Sequence, residues 1–280
     1  DTALEDLIQQ LTTQSVFAID TETTSVQPMR AQLVGISLAW QAHEAFYIPV
    51  MAPLGDSCLP LDVVRAKLGP VLANGDSEKG GQNIKYDILV LENAGLPLRG
   101  IAFDTMVASY LLDAGRQSHS MDNMARDFLD YECVSITELI GKGKNQLSFD
   151  MVNTAVACDY AAEDADITFQ LYTYLRPRLE QAPQIHALFE IVEMPLVSVL
   201  ASMERHGVSL DTPFLLRMSQ EIAATLDDVT DEIFRHAESV FNIDSPKQLA
   251  QVLFDKLELT SVRKGKTGRS TDAKVLEQIA

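Results

Sequence analysis

Residues 16–22 read VFAIDTE, an apolar run that ends in two carboxylates. The run is short and rich in branched and aromatic side chains, which predicts a buried β-strand. Asp20 and Glu22 lie two positions apart, so on a strand their side chains point to the same face. Adjacent carboxylates repel each other and are costly to bury unless a cation lies between them. Taken alone, however, the tripeptide DTE is more typical of a solvated strand end.

The segments that follow this strand alternate between strand and helix patterns. In chain order, we predict strands at 32–39 and 44–50, a helix at 61–72, a helix at 84–94 capped by Asn83, a strand at 101–103, a helix at 105–112 capped by Asp104, and helices at 121–129 and 151–179. This alternation predicts an α/β domain in which an antiparallel hairpin is joined to a parallel strand.

The chain changes character near residue 184. Long helices are predicted at 186–206 and 213–241, with no strand between them. Ser245 and Pro246 have the residue types of an N-cap and a first helical position. We therefore expect two domains, 1–183 and 184–280, the second mainly helical. The chain begins without methionine and stops inside a predicted helix, so we expect it to be part of a longer protein.

Two further carboxylates, Asp87 and Asp164, fall on predicted helices. Tyr160 and Asp164 are four positions apart, so they share one helix face. Taken alone, Asp87 is equally explained by the helix dipole, and Tyr160 is better explained as a half-buried core residue. Glu163 and Asp166 project elsewhere and are expected in solvent.

The composition is acidic, with 40 acidic and 22 basic residues, a formal net charge of −18 and a pI of about 4.5. Most proteins that bind duplex DNA present a basic face, so the charge disfavours a simple nucleic-acid binder. Bound divalent ions would offset the acidity locally. A basic stretch formed by Arg263, Lys264, Lys266 and Arg269 could contact phosphate, and a solvated loop explains it equally well.

The cysteine and histidine patterns give no sign of a zinc site. The three cysteines are isolated, as reduced thiols in a cytoplasm would be, and the five histidines lack ligand spacing. No signal peptide opens the chain. No run of about eighteen apolar residues is present, so no membrane-spanning helix is expected.

The order DxE, NxxYD and YxxxD resembles the DEDDy branch of the 3′–5′ exonuclease superfamily. Further stretches resemble the bacterial DNA polymerase I family, family A; they are residues 17–23, 81–87, 101–106, 141–147, 160–166, 193–196 and 203–208. The resemblance covers essentially the whole chain. It implies a ribonuclease H-like exonuclease domain, a mixed sheet flanked by helices, over 1–183. It also implies a partial, mainly helical polymerase segment with thumb helices over 184–280.

This resemblance implies that four carboxylates hold two divalent metal ions, Mg²⁺ or Mn²⁺, hard cations that oxygen ligands suit. Asp20 would bridge both ions, Glu22 and Asp164 would complete one, and Asp87 would hold the other. Tyr160 would orient the attacking water, because a tyrosine with a pKa of about 10 is a weak general base. None of these five residues departs from the family pattern.

The resemblance also implies that Thr23, Gln82, Asn83 and Tyr86 contact the substrate, with Tyr86 stacking on a base. Asn83 is equally explained as a helix cap, and Thr23 as a turn hydroxyl. The implied partners are the single-stranded 3′ end of DNA and, in the full-length protein, a primer–template duplex. A monomer in the bacterial cytoplasm, associated with the nucleoid and not with a membrane, is the expected setting.

Three functions remain open: a proofreading exonuclease of a DNA polymerase, an RNA-trimming exonuclease of the same superfamily, and a non-catalytic scaffold that keeps the fold. The segment after residue 184 resembles a polymerase and favours the first over the second. The intact carboxylates disfavour the third. Val26 and Ile136 are smaller than the apolar side chains that the family places against the terminal bases, which leaves the base-stacking wedge open.

Overall fold

A computed structural model describes residues 2–260, 264–265 and 268–279. The chain divides into two compact units, Asp1–Gly207 and Val208–Ala280. Residues 184–207 therefore belong structurally to the first unit, and their side chains Phe189, Met194 and Val197 are buried in its core. The predicted boundary at residue 183 separates the segment expected to carry the nuclease from the polymerase segment. Compact units do not test that functional division, so it stays a prediction.

The first unit is built on a five-stranded mixed sheet in the order β3-β2-β1-β4-β5. The strands are β1 (Val16–Thr23), β2 (Leu33–Gln41), β3 (Glu44–Pro49), β4 (Glu78–Gly81) and β5 (Ile101–Asp104). Strand β1 pairs antiparallel with β2 and parallel with β4, and β4 pairs parallel with β5. The predicted α/β class, with a hairpin joined to parallel strands, is confirmed.

Strand β4 is the element that the sequence analysis missed. Its four residues, EKGG, are too few and too rich in glycine to show a strand period. Glycine is needed here for close approach, because a Cβ on Gly81 would lie 3.0 Å from the Ile84 side chain and 3.2 Å from the Ile19 carbonyl oxygen. The strand exists because β1 and β5 pair with it on both sides.

Nine α-helices accompany the sheet in the described part of this unit, and one of them crosses three strands. They are α1 (Thr2–Leu11), α2 (Leu61–Leu72), α3 (Lys85–Asn93), α4 (Thr105–Leu112), α5 (Met121–Met124), α6 (Ile136–Ile140), α7 (Thr154–Glu180), α8 (Pro183–Leu188) and α9 (Met194–His206). Short π-helical turns follow α5 and α8, and α7 packs across β1, β2 and β3. Helices α2 and α4 have the predicted bounds. Helix α7 begins later than predicted, since Asn153 caps it through the Ala155 amide.

Asp104 caps α4, as predicted, by accepting hydrogen bonds from the Met106 and Val107 amides at 2.9 and 3.2 Å. It also accepts from the amides of Asn83 and Ile84, at 3.2 and 2.8 Å, just before α3. The predicted capping role of Asn83 is therefore wrong. A carboxylate at the end of β5 already satisfies these amides, and Asn83 itself is exposed with a φ of 55°.

The second unit is mainly helical within the described residues. It contains α10 (Thr212–Ala237), α11 (Pro246–Ala250) with a π-helical continuation, the two-residue strands β6 (Lys264–Gly265) and β7 (Gly268–Arg269), and α12 (Ala273–Ile279). Ser245 caps α11 by accepting from the Gln248 amide, and Pro246 opens it, both as predicted.

The predicted basic stretch is only partly within the described residues. Arg263 and Lys266 lie outside them, as does the side chain of Lys264. Arg269 is described, and its guanidinium pairs with the Asp255 carboxylate and lies over the Phe254 ring. Whether the stretch contacts phosphate stays a prediction.

One helical stretch, Pro183–His206, is long and apolar enough to cross a membrane by length and composition, with a mean hydropathy of 1.5. The expectation of no membrane-spanning helix rested on the lack of an unbroken apolar run, and it stays a prediction. Charged residues such as Glu190 and Glu193 interrupt the apolar run while its average stays high. The stretch contributes Phe189, Met194, Val197 and Ala201 to the core of the first unit, and 22% of its most apolar window is buried.

Candidate active site

Three carboxylates meet where β1 ends. Alternation along β1 buries Phe17 and Ile19 on one face and leaves Asp20 and Glu22 on the other. Helix α7 brings Asp164 to the same place, and one carboxylate oxygen from each of the three residues lies within 4.8 Å of the others. In the described part of the chain, no other cluster of three or more such groups has this geometry.

Asp87 approaches this cluster from α3 but is not a member of the close group of three. It is buried, and its Oδ1 accepts a hydrogen bond of 2.6 Å from the Thr21 hydroxyl. This bond ties Asp87 to the end of β1, where the negative charge of Asp20 acts on it. Of the four predicted carboxylates, Asp20, Glu22 and Asp164 therefore form one close group, and Asp87 lies beside it.

Burial and mutual repulsion oppose the ionised forms of these carboxylates. Burial raises the pKa of Asp20 to about 6. Burial and then the negative charges of Asp20, Asp164 and Asp87 hold the pKa of Glu22 well above its ordinary value. The pKa values of Asp87 and Asp164 are also raised, first by burial and then by the charge of Asp20. In the described residues, no lysine or arginine forms an ion pair with any of the four.

One carboxylate oxygen of this cluster is suited to bind a cation. Glu22 Oε1 is fully buried and has no hydrogen-bond partner. A buried oxygen without a donor is costly, and a divalent cation removes that cost for several carboxylates at once. A donor set made of carboxylate oxygens alone suits hard cations such as Mg²⁺ and Mn²⁺ rather than zinc or copper. The residues present therefore fit a divalent metal site.

Tyr160 lies one helical turn before Asp164 on α7. Its hydroxyl interacts with the Asp164 carboxylate, and this interaction lowers the pKa of that carboxyl and opposes the effect of burial. Burial first, and then the charges of Asp164, Glu22 and Asp20, raise the pKa of Tyr160. The phenol therefore stays protonated at neutral pH and is a hydrogen-bond donor, not a base.

Two of the predicted substrate contacts, Thr23 and Tyr86, lie together beside the cluster. The Tyr86 hydroxyl is 2.5 Å from Thr23 Oγ1 and donates to the Ser25 carbonyl oxygen at 2.5 Å. Both hydroxyls therefore hold the turn that follows Glu22. The half-buried Tyr86 ring packs against the core, and base stacking by Tyr86 stays a prediction.

The other two predicted contacts differ in accessibility. The Gln82 amide donates to the His119 carbonyl oxygen at 3.0 Å and its oxygen accepts from the Thr105 hydroxyl. Gln82 therefore ties β4 to the loop before α5. Asn83 is exposed and has no such tie among the described hydrogen bonds of its side chain.

The two candidate wedge residues also differ. Val26 is 91% exposed at the tip of the turn after β1. Ile136 is half-buried and, like Tyr160, packs against a small apolar cluster formed by Val34, Phe149, Val152 and Ala157. Val26 is thus free to contact a ligand, whereas the Ile136 side chain is engaged in packing against the same cluster as Tyr160.

Sequence reasoning misplaced two acidic residues of α7. Glu163 accepts hydrogen bonds from the Tyr131 hydroxyl at 2.7 Å and the Val134 amide at 2.8 Å, so it holds the segment before α6. Asp166 accepts from the His43 amide at 2.7 Å. Their partners lie far away in the sequence, so local spacing carried no signal for these roles.

Comparison with known proteins gives matches along most of the chain. Residues 1–180 match the family model for the 3′-5′ exonuclease, and residues 212–280 match the model for DNA polymerase family A.

Curated relatives match over nearly the whole chain. The chain is 40% identical to DNA polymerase I of Pseudomonas aeruginosa over 278 residues, which cover 98% of this chain and 30% of that protein. It is 37% identical to DNA polymerase I of Chloroflexus aurantiacus, over 100% of this chain and 30% of that protein. The chain thus spans under a third of the length of these relatives.

Among solved structures, the chain is similar to the POL domain of Pol1 from M. smegmatis, a structure in complex with DNA primer-template and dNTP. The TM-score is 0.72 at 25% identity, and the match covers 99% of this chain and 43% of that one.

Proposed function

The chain belongs to the 3′–5′ exonuclease family of the family A DNA polymerases, and from that membership we propose that it hydrolyses the 3′-terminal phosphodiester of DNA with two divalent metal ions. The observation that carries the proposal is the cluster of Asp20, Glu22 and Asp164 around a buried, unpartnered Glu22 oxygen. Such a cluster is unfavourable in a folded chain without a cation and fits one that binds hard cations.

Each carboxylate has a distinct place in this proposal. Asp20, Glu22 and Asp164 would hold one ion, with Asp20 shared with a second ion that Asp87 also holds. The chemistry that these residues would gain from two such bound ions, Mg²⁺ or Mn²⁺, is activation of water at neutral pH and stabilisation of the leaving 3′-oxygen. The positive charge of the ions favours the ionised carboxylates and so reverses the raised pKa values of the metal-free cluster.

Tyr160 contributes orientation. Its hydroxyl stays protonated next to Asp164, so it can donate a hydrogen bond but cannot remove a proton from water. We propose that this donor aligns the attacking water with the scissile phosphate. The exposed Asn83, with the turn held by Thr23 and Tyr86, would contact the terminal nucleotides, and Gln82 would position the neighbouring loop.

The wider setting rests on the relatives. DNA polymerase I of several bacteria matches nearly the whole of this chain. We therefore propose a proofreading role on a single-stranded 3′ end, with a primer–template duplex as the partner of the full-length protein. We place it as a monomer in the bacterial cytoplasm, at the nucleoid and not at a membrane.

The test is degradation of a 5′-labelled single-stranded DNA oligonucleotide with Mg²⁺ or Mn²⁺. We expect a ladder that shortens from the 3′ end and that is abolished both by a chelator and by Asp20→Ala. Asp166→Ala is the matched control, because it removes a carboxylate of α7 that bonds to His43 and not to the cluster. A chain that shows no metal-dependent shortening of DNA would contradict the proposal.

The same assay separates the alternatives. Shortening of RNA and not of DNA would identify an exoribonuclease. Binding of single-stranded DNA without any cleavage would identify a non-catalytic module. The match of residues 212–280 to the DNA polymerase family favours the DNA substrate.

A further inference from the structure

The Tyr47 side chain of β3 lies across the neighbouring strand β2 at Gly35, which has no side chain. A Cβ built on Gly35 of β2 would lie 2.3 Å from Cε2, Cζ and the hydroxyl oxygen of Tyr47. Such a distance is far inside van der Waals contact, so any side chain at position 35 would displace the ring. Gly35 does not have a positive φ, so glycine is needed here for space and not for backbone conformation.

The register of the sheet places this contact next to Glu22. Gly35 is the direct partner of Glu22 in the antiparallel pair of β1 and β2. Directly opposed residues have Cα atoms about 4.5–5.5 Å apart and share a face. Tyr47 is paired with Ser37, which is paired with Asp20, so Tyr47 lies on the carboxylate face. Its ring leans diagonally over Gly35, toward Glu22 and not straight across to Asp20.

The Glu22 carboxylate lies opposite the position that the Tyr47 ring covers, so packing against this ring is available to orient it. In the described structure, Glu22 Oε1 has no hydrogen-bond partner, so donor groups do not fix that oxygen.

Packing makes Tyr47 a firm support. Tyr47 and Tyr160 both pack against the apolar cluster that contains Phe149 and Ala157. Helix α7, which carries Asp164, and β3, which carries Tyr47, therefore share one packed layer beside the carboxylates. A ring held in such a layer keeps its rotamer and limits the rotamers of its neighbour.

We propose that Tyr47 is a positioning residue for Glu22. Gly35 leaves space for the Tyr47 ring, and the ring packs beside the Glu22 carboxylate and keeps it directed at Asp20 and Asp164. This inference rests on the proposed function, since it assigns Tyr47 a role in forming the divalent-ion site of that function. The role belongs to the ring rather than to the hydroxyl.

The test measures Mn²⁺ binding by isothermal titration calorimetry, without substrate. We expect Tyr47→Ala to weaken Mn²⁺ binding by about tenfold or more, the effect that supporting residues around metal ligands show. Tyr47→Phe keeps the ring and is expected to bind within about twofold of the wild type. Phe46→Ala is the matched control. It truncates the residue before Tyr47 on β3, which stacks on Trp40, and should lower the melting temperature and leave Mn²⁺ affinity unchanged.

Gly35→Ala gives an independent check. It should weaken Mn²⁺ binding in the wild-type background, because the new methyl displaces the ring, and should have no further effect in the Tyr47→Ala background. Wild-type affinity in a cooperatively melting Tyr47→Ala protein would overturn the proposal. So would Tyr47→Phe binding as weakly as Tyr47→Ala, since the hydroxyl would then be the active group.

The wild-type titration separates this inference from the function on which it rests. If the wild type binds Mn²⁺ and Asp20→Ala does not, the metal site stands, and the Tyr47 variants alone decide the inference. If the wild type binds no Mn²⁺, the proposed function fails and the positioning role fails with it.

Discussion

Asp104 and Asp87 are two aspartates, each 2% exposed, that lie at the end of β5 and at the start of α3. Asp104 accepts hydrogen bonds from four backbone amides, at 2.8 to 3.2 Å. Asp87 accepts from the hydroxyl of Thr21 and faces the negative charge of Asp20. The two side chains have the same chemistry and the same burial, and they differ in what surrounds them.

This difference separates a structural carboxylate from a candidate functional one. Four amide donors replace water that Asp104 loses. Burial raises the pKa of Asp104 and these amides lower it, so the fold itself opposes the cost of burial. The region around Asp87, Asp20, Glu22 and Asp164 leaves part of the cost of burial uncompensated, and a bound cation is the natural compensation. Burial alone therefore does not indicate function at this edge of the sheet, whereas a shortage of donors does.

Replacement of each aspartate by asparagine should give opposite results in the metal-free protein. Asp104→Asn places an amide group among N–H donors, and we expect a loss of about 2–4 kcal/mol of stability. Asp87→Asn removes a charge that is repelled by its neighbours, so stability should be unchanged or higher, while nuclease activity is lost. Urea unfolding in the presence of a chelator measures the first effect, and the oligonucleotide assay measures the second. Equal destabilisation by the two substitutions would remove the distinction.

The pH dependence of stability extends the comparison to Asp20. Its pKa is about 6 in the folded chain against an ordinary value of 3.8, so the folded state binds the proton more tightly than the unfolded state. The contribution of Asp20 to metal-free stability should therefore fall by up to about 3 kcal/mol as the pH rises from about 4 to about 6. Asp20→Asn should remove this loss.

Thermal melts at pH 4 and pH 8 with a chelator, for the wild type and Asp20→Asn, check this prediction. Added Mn²⁺ should raise the melting temperature of the wild type at pH 8 and not that of Asp20→Asn. If the melting temperatures of the two proteins changed with pH in the same way, the Asp20 carboxyl would not be the source of the loss of stability.

The part of this site that lies on regular elements could be predicted from the sequence. Period-two alternation along β1 placed Asp20 and Glu22 on one face, and the i, i+4 relation on α7 placed Tyr160 beside Asp164. Both relations are local, so a single stretch of sequence contains them. The class of the first domain followed in the same way from the order of its elements.

The part that depends on distant partners could not be predicted. Nothing near Asp104 indicates that it satisfies amides before α3 as well as those of α4. The hydroxyl of Thr21 meets Asp87 across 66 residues, and Gly35 matters only because Tyr47 crosses it. Such contacts depend on the register of the sheet, which local spacing does not contain.

Removal of the Tyr160 hydroxyl is the smallest change and the most selective test, because this hydroxyl is a hydrogen-bond donor in a cluster that has few donors. Tyr160→Phe keeps the packing against Phe149 and removes only the hydroxyl that interacts with Asp164. We expect a fall of about 100-fold in the cleavage rate, the low end for a positioned catalytic group, with Mn²⁺ affinity nearly unchanged. Tyr131→Phe is the matched control, since its hydroxyl donates to Glu163, the residue before Asp164, and not to a carboxylate of the cluster. Its cleavage rate should stay near that of the wild type. If Tyr160→Phe instead weakened Mn²⁺ binding as strongly as it slowed cleavage, the hydroxyl would be holding the Asp164 carboxylate in place. Asp164 would then be a carboxylate oriented by a donor, as Asp104 is by its amides, and not one with few donors, as Asp87 is.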